Sequence, residues 1–233
     1  FALAWRDMGE TNRAPSATIT AQFRAYPELA RSRRFWGYAL VAAFASGAFF
    51  AFLGGAPYVG AEVLGMSPAA LGAHFGFIAL GYAFGNYLSG RYSGRVGVNA
   101  MMLAGTSIAL ASMLSTLALF GAGLAHPMAF FGPILFLGVG NGLSLPSANA
   151  GMLSVRPHLA GSASGLGGAL MIGGGAALSA ITGALLGPGS GAWPLLLMMA
   201  GSSAASVGAL GYVAWVDRIA GPLPGLETRP AKR

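Results

Sequence analysis

The chain has 233 residues, of which 8% are charged and 55% are hydrophobic, and its formal net charge is +7. Because about 25% of the residues in a soluble domain are charged, this composition predicts a protein of the lipid bilayer. The apolar residues form long runs rather than the short alternating strands of a membrane β-barrel, which favours an all-α membrane protein. The basic residues stand in short blocks between those runs, which argues against a nucleic-acid-binding face. Without cysteine, the chain has neither disulfides nor thiolate metal ligands.

The segment that precedes the first apolar run, residues 1–34, carries several charges. Its later part, TITAQFRAYPELARSRRFW, mixes apolar side chains with arginines. This mixture is typical of a short amphipathic helix on the anionic inner leaflet, and equally of a solvated linker with a basic membrane-flanking cluster. Because the chain begins with Phe1 and not with methionine, we expect it to continue a protein upstream.

Six apolar runs are long enough to span a membrane, since about 20 residues cross the roughly 30 Å of hydrocarbon. Short segments with turn signals, such as GMSP, GLAHP and GPGSG, separate them. The predicted spans are Phe35–Gly60, Ala70–Ser89, Val98–Leu119, Met128–Leu153, Gly161–Leu186 and Trp193–Val216. Because six is an even number, both ends of the chain are expected on the same side of the membrane.

The thirteen Lys and Arg residues predict the orientation of these spans. All of them lie before span one, between spans two and three (Arg91, Arg95), between spans four and five (Arg156), or after span six. Under the positive-inside rule, both ends and every alternate loop are cytoplasmic. Arg156 is the only Asp, Glu, Lys or Arg within residues 96–216, so we predict that it fixes the turn between spans four and five on the cytoplasmic side, with a gating contact as the alternative.

Pro57 in span one and Pro146 in span four indicate that the six spans form two inverted triples. Each proline stands with several glycines toward the later end of its span, and these spans are the first members of their triples. Many secondary transporters place helix breaks at corresponding positions of inverted repeats, so we predict a 3+3 inverted repeat with breaks at both prolines. The alternative is that Pro and Gly are simply common in membrane helices.

Polar residues in span four mark a candidate substrate path. At 100° per residue, Asn141, Ser144 and Asn149 lie within a sector of about 140°, so one face of this helix is polar. An unsatisfied amide in hydrocarbon is costly, and we therefore expect this face to point to protein or water. Hydrogen bonding between helices explains the pattern as well as a substrate path does.

Aromatic residues are concentrated in spans one and two. Phe49, Phe50 and Tyr82, with Asn86 nearby, are candidates for the wall of a cavity that takes apolar or aromatic compounds. The alternative for each aromatic residue is a lipid-facing or interfacial position.

The residues that are absent from the spans also limit the function. No Asp or Glu lies inside any predicted span, so a proton-coupling carboxylate is not expected on this chain. The chain lacks HExxH, a pair of intramembrane Asp residues and a GxSG nucleophile motif, and its glycine strings do not fit GxGxxG. We therefore predict neither an enzyme nor a bound metal or cofactor.

One long stretch carries a family resemblance. LPSANAGMLSVRPHLAGSASGLGGAL, residues 145–170, resembles the region around the tenth and eleventh spans of the bicyclomycin and chloramphenicol resistance (Bcr/CflA) type of drug:proton antiporter in the major facilitator superfamily. RSRRFWGYAL resembles the entry to the seventh span, and FALAWRDMGET the end of the sixth. The relatives often carry Gln where this chain has Met171.

A second stretch, GRYSGRVG, is similar to the superfamily's gating motif in the copy between spans eight and nine. Gly90, Arg91, Arg95 and Gly97 fit the motif. The chain departs from it where better copies have an acid and a closing basic pair, at Gly94 and at residues 98 and 99, and these departures weaken the case for a salt-bridge latch.

The resemblance implies that the chain is the C-terminal half of a twelve-helix transporter. Residues 1–34 would be the end of a preceding span and the cytoplasmic central loop, residues 35–216 a six-helix bundle, and residues 217–233 a cytoplasmic tail. It implies proton-coupled efflux of phenicol-like or bicyclomycin-like hydrophobic drugs across a bacterial-type inner (plasma) membrane. The missing N-terminal half would hold the proton-coupling acid, and spans one, two, four and five would face a central cavity.

The competing hypothesis is a self-contained six-span protein that acts as a homodimer or as a structural or assembly factor. The coding sequence upstream of Phe1 separates the two hypotheses. Six further apolar spans there favour the transporter, and a nearby start codon favours the self-contained protein.

Overall fold

A computed structural model describes residues 26–221, and these residues form six long helices without a strand. The expected end of a preceding span and most of the expected tail fall in residues 1–25 and 222–233, which lie outside the described part. A π-helical turn, Val59–Val63, continues the first helix, and a 3-10 turn, Pro157–Leu159, precedes the fifth. The helices are α1 Arg33–Tyr58, α2 Pro68–Val96, α3 Val98–Gly121, α4 Pro127–Ser154, α5 Ala160–Leu185 and α6 Trp193–Ala220.

All six helices are long and apolar enough to cross a membrane, which confirms the predicted all-α membrane fold. Local chemistry sets several of their ends. The Ser32 side chain caps the start of α1 by accepting from the backbone N–H of Phe35, and Ser67 caps α2 in the same way by accepting from Ala70. Gly65, at φ 61°, supplies the left-handed residue in the turn between them.

The loop expected after the second span is mostly helix. α2 runs seven residues past the predicted end at Ser89, so Arg91 and Arg95 project from its last turns. Gly90 and Gly94 do not break the helix, because an isolated glycine costs only about 1 kcal/mol in a helix interior. The turn is confined to Gly97, whose φ of 89° separates α2 from α3.

The two prolines expected to break helices are accommodated inside them. α4 continues through Pro146 to Ser154, and α1 continues through Pro57 into the π-helical turn. Proline removes one backbone donor and therefore frees the carbonyl four residues earlier, which a helix in protein surroundings tolerates by local adjustment. In α1 that adjustment coincides with the π-helical turn, where the Leu64 N–H bonds to the Val59 carbonyl at 2.9 Å.

The packing of the helices repeats between the two triples. α1 packs against α5 and α6, α4 packs against α2 and α3, and the pairs α1–α4 and α3–α6 also touch. Exchanging α1 with α4, α2 with α5 and α3 with α6 returns the same set of pairs. This is the arrangement expected of a 3+3 inverted repeat, and it is consistent with half of a major facilitator fold.

Glycines bring the backbone of α4 into contact with its two neighbours. A Cβ built at Gly138 or Gly142 would lie within 3.0 Å of α2 backbone oxygens, and one at Gly81 of α2 would lie as close to the α4 backbone. On the other side, Gly140 meets Gly105 of α3 in the same manner. Lipid provides no hydrophobic force between helices, so this close van der Waals packing stabilises the bundle.

We predict that Gly81→Ala destabilises the protein, because the added methyl group would overlap the Leu135 carbonyl and push α2 away from α4. Overpacking of this kind costs about 1–3 kcal/mol. The measurement is the thermal stability and the monodisperse yield of detergent-purified protein. Gly72→Ala on the same helix is the matched control, since nothing lies within 4 Å of its Cβ position. Equal stability of the two variants would contradict this packing.

Candidate functional site

A cavity of about 440 Å³ opens between four of the six helices. Its walls come from α1, α2, α4 and α5, and no residue of α3 or α6 lines it. These are the four helices that the resemblance assigns to a central cavity. The lining residues are Ser46, Phe49, Phe50, Leu53, Ile78, Ala79, Tyr82, Gly138, Asn141, Leu145, Met171 and Ile172.

The structure brings four of the seven predicted substrate-path residues to this cavity. Phe49 and Phe50 form the α1 wall with their rings 5.9 Å apart, and Tyr82 faces them from α2. Asn141 reaches the cavity from α4. The Phe50 ring lies directly against Gly175 of α5, where a Cβ would meet it within 3.0 Å.

The other three predicted residues lie elsewhere. The Asn86 amide donates to the Tyr82 carbonyl of its own helix at 2.8 Å and does not line the cavity. Ser144 is completely buried on the side of α4 that meets α3. Asn149 borders a second groove of about 430 Å³ between α4 and α5. This groove shares Met171 and Ile172 with the cavity, so the two spaces adjoin.

The helical period of α4 explains why Asn141 faces the cavity. Gly138 and Gly142 occupy the face against α2, and Gly140 lies on the face against α3. Asn141 and Leu145, about 40° apart around the helix axis, are left toward the open space. The glycines thus fix the rotation of α4, and the residue between them becomes a wall residue.

The cavity is apolar, with three side chains that carry polar groups. None of the described Asp, Glu, Lys, Arg or His residues lines it. The Ser46 hydroxyl donates to the Ala42 carbonyl at 2.8 Å, and Tyr82 is 42% exposed. Asn141 is only 3% exposed, and its Oδ1 accepts no hydrogen bond from any described residue. Aromatic and aliphatic walls with a few polar groups are typical of sites for drug-sized ligands.

Sequence reasoning missed the aliphatic part of the wall. Leu53, Ile78 and Ile172 belong to continuous apolar runs, where a cavity-facing residue has the same chemistry as a lipid-facing one. Leu145 could have been found, because it stands four residues after Asn141 and so shares its face. Several other aromatics pack in the bundle instead, and Phe52, Phe75, Phe130 and Phe131 form one cluster.

The basic residues of the described chain lie at one end of the bundle, which we call the basic end. Arg34 of α1 pairs with Asp217 of α6 at 3.4 Å, and both side chains are more than four-fifths buried. Asn99 of α3 donates to Asp217 at 3.0 Å and accepts from Tyr38 of α1 at 3.3 Å. This cluster joins three helices. Asn99 stands at a position where the gating motif has a basic residue.

The three predicted gating or topology arginines lie at the same end, outside that cluster. Arg156 pairs with Glu28 at 3.0 Å across side chains that are about half exposed, so the pair contributes little stability. It thereby connects the segment before α1 with the α4–α5 turn. Arg91 lies 6.0 Å from the ring of Tyr92, and neither Arg91 nor Arg95 forms an ion pair with a residue in 26–221.

Metal chemistry has no candidate site in the described residues. Within 26–221, no group of three or more His, Cys, Asp or Glu side chains is placed to hold a metal ion. The site is therefore defined by its cavity and by the groups that line it.

Comparison with known proteins agrees with this architecture. The family model of the Major Facilitator Superfamily matches residues 2–180. The chain is also similar to an uncharacterised MFS-type transporter, YdgK, of Bacillus subtilis (strain 168), with 29% identity over 156 residues. That alignment covers 66% of this chain and 38% of the relative, so the chain spans less than half of the relative's length. No solved structure matches significantly. With six membrane-spanning helices in a repeated packing order and a family match over most of its length, the chain belongs to the major facilitator superfamily.

Proposed function

We propose that this chain is the C-terminal half of a Bcr/CflA-type transporter that exports hydrophobic, phenicol-like or bicyclomycin-like drugs in exchange for protons. The observation that carries the proposal is the uncharged, aromatic cavity between α1, α2, α4 and α5. Such a wall suits a neutral or weakly polar drug, because it provides apolar contact area and few groups that need a charged partner. Members of the superfamily are membrane transporters, which agrees with a transport role for this chain.

No described carboxylate lies on the cavity wall. This supports a transporter in which this half binds the substrate and the other half carries the proton-coupling group. The three described acids lie away from the cavity wall. Glu62 lies in the turn after α1, at the end opposite the basic end, whereas Glu28 pairs with Arg156 and Asp217 pairs with Arg34 at the basic end. Proton coupling needs a titratable group that the transport cycle exposes to each side in turn. We therefore assign the coupling acid to the N-terminal half.

The exposed faces of α2 and α5 support the existence of that second half. In the apolar 18-residue stretch of each helix, only 17% of the residues are buried in α2 and 11% in α5. The corresponding shares are 61% in α1 and 67% in α4. Gly161, Gly168 and Gly183 lie on one face of α5, and no atom lies within 4 Å of a Cβ built at any of them. A glycine face allows another helix to approach closely, and we propose that a helix of the N-terminal half covers it.

Export can be tested with the full-length protein in a bacterial strain that lacks its own drug exporters. We expect cells that produce it to accumulate less radiolabelled chloramphenicol than control cells, because the transporter removes the drug. A protonophore should abolish the difference, since the proton gradient drives the exchange. Lower accumulation that persists after collapse of the gradient would contradict proton coupling, and equal accumulation would contradict phenicol export.

Phe50→Ala should alter the substrate profile while the protein is still produced normally. Its ring forms part of the α1 wall, and loss of one aromatic contact is worth about 0.5–1.5 kcal/mol, which is roughly a two- to thirteenfold change. The measurement is the half-maximal export concentration for several aromatic and aliphatic drugs. Phe136→Ala, at a 55% exposed position outside this cavity, is the matched control and should change nothing. Uniform loss for all drugs, together with loss of folded protein, would indicate a packing role instead.

We also propose a plasma-membrane location with both ends of the chain in the cytoplasm. The chain has no cysteine, so single cysteines report sidedness directly once any other cysteine of the full-length protein is replaced. Ala125→Cys, in the α3–α4 loop, should react with a membrane-impermeant maleimide in intact cells. His158→Cys, in the α4–α5 turn beside Arg156, should react only after permeabilisation. The reverse labelling would show the opposite orientation.

A further inference from the structure

We infer that Asn141 is the hydrogen-bonding anchor of the cavity, and that its substrates are neutral, mainly apolar compounds that donate one N–H or O–H to its amide oxygen. This inference rests on the transporter function proposed above and narrows it to a substrate class. It starts from a single observation, the buried amide oxygen of Asn141 that has no partner among the described residues.

An unpartnered amide is unusual at this depth. Asn141 is 3% exposed, and its Oδ1 is out of contact with solvent. Leaving a buried acceptor unsatisfied is unfavourable, so a group that supplies the missing hydrogen bond is favoured. The cavity is the space from which such a group can come, because Asn141 lines it.

The other polar groups in this region differ from the Asn141 oxygen. Tyr82 is 42% exposed, and the buried Ser144 hydroxyl, which also lacks a partner among the described residues, lies on the side of α4 that meets α3. The hydroxyl of Ser46 donates to the carbonyls of Ala42 and Ala43, at 2.8 Å and 3.1 Å. The Asn86 amide donates to the Tyr82 carbonyl at 2.8 Å. Asn141 is thus the buried side chain of the cavity wall whose amide oxygen lacks a hydrogen-bond donor among the described residues.

The rest of the wall limits what the donor can be attached to. No charged side chain within residues 26–221 lines the cavity, so a ligand that carries a full charge would lose its hydration without a counter-charge from these residues. Phe49, Phe50 and Tyr82 provide flat apolar surface for an aromatic body. A cavity of about 440 Å³ lies within the usual range for drug-sized ligands. These features together favour a neutral aromatic compound with at least one hydrogen-bond donor.

The packing of α4 fixes the position of Asn141 on the cavity wall. Gly138 and Gly142 hold α4 against the α2 backbone, and Gly140 holds it against α3. A rotation of α4 that moved Asn141 off the cavity would break these contacts. Asn141 therefore stays on the wall, and a ligand has only to meet its amide there.

The test compares probes that differ in one donor. Thiamphenicol and florfenicol differ by the exchange of one hydroxyl for fluorine, and 4-hydroxybiphenyl and 4-methoxybiphenyl differ by methylation of one hydroxyl. Equilibrium binding of these four probes is measured on purified full-length protein in lipid nanodiscs, without a proton gradient. The proteins are the wild type, Asn141→Leu, Asn141→Ala and the control Ser115→Ala, at an exposed position on α3.

We expect the wild type to bind the member with the additional hydroxyl, in at least one pair, about three- to tenfold more tightly than its partner. Both Asn141 variants should lose this preference, while affinity for the partner that lacks this hydroxyl changes less than twofold. Ser115→Ala should retain the preference. Because the two members of a pair share their apolar body, a general packing defect would weaken both equally and would not imitate this result.

The inference is overturned if the wild type binds both members of each pair equally, if it binds none of the four probes, or if the Asn141 variants weaken both members alike. Failure of the proposed function is a separate result. It would appear as absence of gradient-dependent export by the same wild-type protein in cells, whatever preference the binding measurement without a gradient shows.

Discussion

Direct backbone contact between α4 and its two neighbours is the interaction on which this bundle depends. In water, burial of apolar side chains would hold such helices together, but lipid is as apolar as the side chains themselves. The glycines at 138, 140 and 142 remove side chains from two faces of α4, so that α2 and α3 approach to van der Waals contact. The pattern leaves a third face of the same turn without a neighbour, and this face forms part of the cavity.

Many polar side chains form hydrogen bonds with the backbone of their own helix, and for this reason few of them identify the candidate site. Thr106 and Ser147, for example, donate to the carbonyl four residues earlier in their own helices. Ser202 and Ser206 of α6 donate to carbonyls of α1 and so join two helices. A hydroxyl in a membrane helix is therefore weak evidence for a substrate path. A buried amide oxygen without a partner is stronger evidence, because hydrocarbon offers it no alternative.

Much of the fold was predictable from the sequence because membrane helices are governed by a few strong rules. The length of the apolar runs predicts six spans, which the structure shows. The end of α2 was not predictable from turn signals. Gly90 and Gly94 look like a loop in the sequence, yet the helix continues because its neighbouring hydrogen bonds outweigh the cost of two glycines.

The site was only partly predictable, since its residues meet through tertiary packing. Asn141 could be identified because it is polar in an apolar run, but nothing in the sequence distinguishes Ile172 from a lipid-facing residue. The cluster of Arg34, Asn99 and Asp217 joins positions that are far apart in the chain, and no local pattern connects them. Sequence reasoning therefore identified chemically conspicuous residues, and the fold determined which of them share a space.

The α5 side of the cavity has a different character from the other walls. Phe49, Phe50 and Tyr82 are stiff rings, whereas Met171 has an unbranched, polarisable chain with three rotatable bonds that adapts to irregular shapes. It also borders the adjoining groove with Ile172, so one flexible side chain stands at the junction of two spaces. A wall that can change shape at this junction, opposite the fixed position of Asn141 on α4, would let the cavity fit compounds of different outline while keeping the proposed polar contact unchanged.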